Sequence, residues 1–314
     1  MARLRSLVRA AAILAAAAVF PSLADPVLYA ATVRAHTGPA DEIAGSLYVV
    51  DPSNAEAKAI GPLRIQGKPI GITGLAVHPK SGILYGVTAG YSPNYRNSLV
   101  TIDPATAEAS FVGEMRVAGS DITFDPAGDL FIWLPDSSQV GRINLASGRV
   151  TPIGEIGEST RLEGGIAFDG RGRLYVTPMG ATGAIEMRDP VTGTITMGPM
   201  LVNAPYLSSL NSLAFSPRGE LYGVNSNMGS PAHTALVKVD THSGVVTQIG
   251  ALPEDTDCLA FVEAPRAALI ASPTSANVVA AGSIAAAGAL AVLMWWRERR
   301  RRRSAADTAR AAGT

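Results

Sequence analysis

Five short apolar segments recur along the chain with one pattern, a large residue, a small one, then a large or aromatic one. They are Gly74-Leu75-Ala76-Val77, Asp121-Ile122-Thr123-Phe124, Gly165-Ile166-Ala167-Phe168, Ser212-Leu213-Ala214-Phe215 and Cys258-Leu259-Ala260-Phe261. Alternation of period two over so short a run reads as a β-strand. Four of them are followed eight or nine residues on by an apolar-aromatic pair: Leu84-Tyr85, Leu130-Phe131, Leu174-Tyr175 and Leu221-Tyr222. The fifth has no such successor, and the pair without a predecessor is Leu28-Tyr29, near the start. A ring in which the C-terminal strand completes the N-terminal unit accounts for both orphans, which is how a β-propeller closes.

Each unit continues with a third strand ending at a turn residue (Asp51, Asp103, Asn144, Asp189, Asp240) and a fourth expected to end at a glycine (Gly61, Gly113, Gly154, Gly198, Gly250). The interval between the two is 10, 10, 10, 9 and 10 residues, as a hairpin with a fixed turn requires. One Asp or Asn per repeat in that place is read as turn chemistry rather than metal ligation. First-to-second turns are also tight: His78 to Gly82, Asp125 to Gly128, Asp169 to Gly172 and Ser216 to Gly219. Helical periodicity is absent before residue 266, and Gly and Pro punctuate the chain every ten residues or so. Large and small residues on opposite faces of the first strand predict interdigitation between neighbouring blades.

Two segments lie outside this repeat. Residues 1–24 carry Arg3, Arg5 and Arg9, an apolar run from Ala10 to Phe20, and Ser22-Leu23-Ala24, the pattern of a secretory signal peptide. From Val278 to Trp296 the only clearly polar side chain is Ser283, long enough to span a bilayer, with six Arg between Arg297 and Arg303 as a cytoplasmic stop. The organisation expected is therefore a signal peptide (1–24), a five-bladed all-β propeller (25–262), a linker (263–277), one transmembrane helix (278–296) and a basic cytoplasmic tail (297–314). The formal net charge of zero conceals an asymmetry, because residues 25–266 hold 24 Asp and Glu against 16 Lys and Arg, a difference of −8. Such a domain is a poor partner for nucleic acid. Cys258 is the single cysteine, so no intramolecular disulfide forms.

Leu84-Tyr85-Gly86-Val87, Ile102-Asp103-Pro104-Ala105-Thr106 and Ile249-Gly250 resemble the YVTN- and NHL-like repeats of exported bacterial β-propellers, over nearly all of residues 26–262. That resemblance implies the fold and leaves function open among binders, scaffolds and a few enzymes. The tail is similar to a PEP-CTERM sorting signal, with Glu263-Ala264-Pro265 in place of Pro-Glu-Pro and residues 304–314 running past the basic cluster. A plain membrane anchor is the reading preferred for it.

Length variation falls on one end of the propeller. Second-to-third intervals run 22, 18, 13, 14 and 18 residues and fourth-to-first intervals 15, 10, 13, 16 and 10, and these loops share a face. Binding residues concentrate on such loops. His36, Tyr91, Tyr95, Trp133, Tyr206 and His233 are the candidates, suited to a small molecule, a glycan or an envelope protein, with loop padding as the alternative. Inner strands open on the same face with Thr73, Ser120, Gly164, Asn211 and Asp257, beside Asp121 and Glu163. A ring of oxygen groups there suits a hydrated channel, the preferred reading, or a Ca²⁺ held by Asp121, Glu163, Asn211 and Asp257. Gluconolactonase-like propellers use a comparable mouth, but they have six blades and their local motifs are absent. No His-Glu-x-x-His, nucleophile elbow or spaced His/Cys cluster occurs. The function expected is a membrane-anchored extracytoplasmic binding or scaffold module, with a metal-dependent hydrolase or lactonase as the alternative.

Overall fold

A computed structural model describes residues 26–34, 44–159, 164–178, 183–227 and 229–262. The expected signal peptide, linker, membrane helix and tail lie outside the described residues, as do His36 and Glu163. No helix occurs among the described residues.

Five antiparallel four-stranded sheets form the domain. Blade I, from its inner to its outer strand, is Thr256–Val262, Val27–Thr32, Ser46–Val50 and Ala57–Pro62. Blade II is Ile72–Val77, Leu84–Thr88, Ser98–Ile102 and Ala109–Glu114; blade III is Ile122–Phe124, Leu130–Leu134, Gln139–Ile143 and Val150–Ile153. Blade IV is Ile166–Phe168, Leu174–Val176, Ala184–Arg188 and Ile195–Met200; blade V is Ser209–Phe215, Leu221–Ser226, Thr234–Val239 and Val246–Leu252. Each inner strand touches the inner strands of both neighbours, so the ring is closed: a five-bladed β-propeller. The C-terminal strand completes the N-terminal blade as the repeat pattern requires, in a register running from Val27 opposite Val262 to Ala31 opposite Cys258.

A hydrophobic cluster fills every gap between blades, and large meets small in most of them. Leu75 shares a cluster with Ala260, Ile122 with Ala76, Leu213 with Ala167, and Leu259 with Ala214. Burying a side chain of this size fully is worth about 1.5–3 kcal/mol. Over this layer lies a second, aromatic one. The second-strand ring of one blade meets the Phe at or next to the end of the inner strand of the next: Tyr85 and Phe124 at 5.5 Å, Phe131 and Phe168 at 5.1 Å, Tyr175 and Phe215 at 5.3 Å, Tyr222 and Phe261 at 5.1 Å. Between blades I and II Val77 stands in the place of the Phe and packs against the same cluster as Tyr29, so that gap lacks the ring pair.

The third-to-fourth turns repeat one device. The side-chain oxygen of Asp51, Asp103, Asn144, Asp189 and Asp240 accepts the backbone N–H two residues on, at 2.8–3.0 Å. This is the Asx turn expected of these positions. In the first-to-second turns Asp125 and Asp169 act similarly, and His78 takes their place in blade II, its Nδ1 accepting Lys80 N at 3.2 Å and Ser81 N at 3.1 Å.

Two features depart from expectation. Gly61, Gly113, Gly198 and Gly250 do not end the outer strands; they lie inside strands that continue past them, at register shifts against the third strand. The bulge lets the outer strand lean on the next blade's Asx turn, and a Cβ on Gly113 would come within 2.0 Å of Ser147 O. The first fourth-to-first connection, counted only as an interval of 15 residues, carries structure of its own: Arg64–Ile65 pairs with Lys68–Pro69 in a hairpin that plugs Leu63, Ile65 and Ile70 between blades I and II.

Candidate functional site

Inner strands begin at the variable-loop end, and there their polar residues converge on the axis in two hydrogen-bonded layers. In the outer layer Asp257 Oδ2 accepts from Thr73 Oγ1 at 2.6 Å and its Oδ1 accepts from Asn211 Nδ2, tying blades I, II and V. Ser120 Oγ donates to Gly164 O at 3.0 Å and ties III to IV. One residue deeper, Asp121 Oδ2 accepts the backbone N–H of Ile166 at 3.0 Å and of Leu213 at 2.9 Å, while Oδ1 accepts from Ser212 Oγ at 3.0 Å. Ser212 Oγ accepts in turn from Leu259 N at 3.1 Å, so the junction reaches from blade III through IV and V to I.

Such closeness of inner strands requires glycine beside the acid. A Cβ on Gly74 would stand 2.7 Å from Ser120 O, and one on Gly165 would stand 2.7 Å from Leu213 N. The level of the ring made by Gly74, Asp121, Gly165, Ser212 and Cys258 is thus its waist. Asp121 is fully buried there, and burial pushes its carboxyl well above the usual carboxylate range. The hydrogen bonds donated to it act in the opposite direction without cancelling it. Burial first, then the charges of Asp257 and Asp121, pushes the Cys258 thiol up as well.

The expected ring of oxygen groups is therefore assembled, but as satisfied cross-links rather than as an open mouth. Asp121 and Asp257 each spend their oxygens on protein donors, and Glu163 lies outside the described residues. No group of three or more His, Cys, Asp or Glu among the described residues is arranged to hold a metal ion.

The variable-loop end also carries a concavity of about 330 Å³. Tyr91, Asn211 and Asp257 line it together with Arg34 and Asp255, whose side chains pair at 3.1 Å. Sequence reasoning missed Arg34 and Asp255, which meet across 221 positions of chain. Of the expected contact residues, Tyr91 is 53% exposed and lines the concavity. His233 is exposed too, with Nδ1 3.3 Å from Glu254. Tyr95 is half-buried against the cluster between blades I and II, under the Lys68 ammonium at 6.0 Å. Tyr206 is half-buried against the cluster between IV and V, its backbone clamped by the Asn225 side chain at 2.8 and 2.9 Å. Trp133, expected on a loop, belongs instead to the second strand of blade III, wholly buried, with the Arg188 guanidinium 4.8 Å from its ring.

At the opposite end the strands diverge toward the fixed turns and leave a funnel of about 510 Å³. Val262 lies on its wall, and Val27 is the strand partner of Val262, so the described chain both enters and leaves the propeller at this end.

No protein-family model matches the chain, and no curated protein matches it. Among solved structures, it is similar to a chain of the nidogen/laminin complex, with 14% identity and a TM-score of 0.47 over 75% of this chain and 97% of that one. It is also similar to a chain of Kuenenia stuttgartiensis hydrazine synthase, with 18% identity and a TM-score of 0.38 over 59% of this chain and 49% of that one. Neither likeness is strong enough to carry function.

Proposed function

We propose that the chain is a membrane-anchored, extracytoplasmic binding or scaffold module that engages a small molecule, a glycan or an envelope protein through its variable-loop face. The observation that carries this reading is the Tyr91 concavity at the variable-loop end, opposite the end at which Val27 and Val262 enter and leave the ring. Export by residues 1–24 and a PEP-CTERM-like or plain anchor at the C-terminus belong to the same proposal. A hydrolase or lactonase gains no support from Asp121 and Asp257, because carboxylates held by protein donors are not free to serve as base or ligand.

A photo-crosslinking residue placed at Tyr91, or at Ala105 in a fixed turn outside the funnel, tests the reading in cells expressing the full chain. Adducts from position 91 and none from 105 are expected. Adducts from 105 alone would overturn the assignment of the binding face.

A further inference from the structure

The funnel at the fixed-turn end, about 510 Å³, is larger than the Tyr91 concavity of about 330 Å³. Leu75, Ile122, Leu213 and Leu259 close its floor, and Val77, Phe124, Phe168, Phe215 and Phe261 form its wall. Backbone groups line it as well. His78, Asp125, Asp169 and Ser216 each send their N–H outward to the second strand, at 2.8–3.0 Å. Antiparallel alternation then turns the N–H and C=O of the preceding residues, Val77, Phe124, Phe168 and Phe215, toward the axis. Leu259 N already points inward to Ser212 Oγ, so Phe261, two residues on, faces the same way.

The waist shows what such amides take. There the inward N–H groups of Ile166 and Leu213 converge on a single acceptor group, the Asp121 carboxyl. At funnel level only Phe168 N meets a side-chain acceptor among the described residues, Thr123 Oγ1 at 3.2 Å. Thr123 is the one polar residue in a column otherwise made of Ala76, Ala167, Ala214 and Ala260, so the other wall residues turn their amides into the cavity with no such cap.

Charge narrows the choice of occupant. The rim carries Asp125 and Asp169, the latter paired with Arg173 at 2.7 Å, while the Lys80 ammonium is held by Ala127 O at 2.6 Å. A free anion would meet these carboxylates, and no Lys or Arg is among the residues that line the funnel. An uncharged group that both accepts and donates matches inward N–H and C=O groups, and the Phe wall asks for an apolar body. The volume of about 510 Å³ falls within the range of small-molecule sites.

We propose that the funnel is a second binding site, for a small uncharged molecule that joins an amide-like donor and acceptor to an apolar body. It stands independently of the variable-loop face. The test is ligand-observed NMR and calorimetry on the full chain in nanodiscs, with empty nanodiscs as blank and benzamide as probe, compared with benzoate and toluene. Benzamide should bind with intermolecular NOEs to Phe ring protons and about tenfold or more tighter than either comparison compound. Gly170→Trp should weaken it by at least about tenfold, since Gly170 lines the funnel and a Cβ there meets nothing within 4 Å. Tyr91→Ala should leave it unchanged. Absence of benzamide binding, NOEs to other residues, or equal binding of toluene would overturn the proposal, and tighter binding of benzoate would replace it with an anion site. If Gly170→Trp does not fold, the NOEs alone decide.

Discussion

Replacing Asp121 probes the waist of the ring directly. Asp121→Ala deprives two buried backbone N–H groups, of Ile166 and Leu213, of their acceptor, and frees the Ser212 hydroxyl from its own. An unsatisfied buried donor costs about 1–3 kcal/mol, so the two amides alone predict a loss of about 2–6 kcal/mol. Relief of a buried carboxyl offsets part of this. Against a total stability of about 5–15 kcal/mol, the urea midpoint should fall by a large fraction. Asp121→Asn keeps an acceptor for both amides and presents an NH₂ to Ser212 Oγ, so it should lie within about 1 kcal/mol of wild type.

The pair of variants separates further with pH. Because burial raises the folded carboxyl above its unfolded value, the native state holds a proton that the unfolded chain releases. Its contribution to stability is full below the unfolded value and is lost as pH rises through the folded one. The Asp121–Ser212 bond reverses on protonation, since the hydroxyl either donates or accepts. Wild type should therefore lose stability with rising pH across that window, and Asp121→Asn should lose less. Urea titrations monitored by circular dichroism over a pH series measure both effects. A stable Asp121→Ala, or parallel pH profiles for wild type and Asp121→Asn, would refute the reasoning.

Val77→Phe should supply the missing ring beside Tyr29, worth about 0.5–1.5 kcal/mol, and raise Tm by a few degrees; a lowered Tm would show that this gap is already filled. Cys258 is buried with a raised thiol, so in the native state it should resist a thiol-reactive dye and label only as the ring opens, and labelling as fast as free cysteine would contradict its place. For the channel mouth, calorimetry with Ca²⁺ should show no stoichiometric site; one that vanishes in Asp257→Asn would bring the metal-dependent hydrolase back to the front.

Much of the fold is legible because propeller repeats fix chemistry at fixed offsets. The orphan pair Leu28-Tyr29 and the orphan strand around Leu259 are partners in the sheet, and all five Asx residues turn where their spacing puts them. What stayed hidden depends on neighbouring blades. Gly113 looks like a strand end along the chain, and only the approach of Ser147 shows it to be a contact point. Trp133 reads as a loop aromatic until the second strand, Leu130–Leu134, is seen to run on past the Leu130-Phe131 pair, as Leu84–Thr88 does past Leu84-Tyr85. The acids at the axis were placed at one mouth, whereas alternation separates Asp121 from Asp257 by a layer, and donors from other blades satisfy both. No spacing rule along one strand reports what lies across the axis.

Closure of blade I by Thr256–Val262 is what joins the five sheets into one ring. Ala31 is the strand partner of Cys258 across 227 positions of chain, and both are wholly buried. Paired residues on adjacent strands lie about 4.5–5.5 Å apart at Cα, within reach of a disulfide. The full chain carrying Ala31→Cys should therefore oxidise to an intramolecular 31–258 disulfide, identified by mass spectrometry of the linked peptides, in a protein that still melts cooperatively. A chain that keeps both thiols free under oxidation, or links only between molecules, would contradict the closed ring.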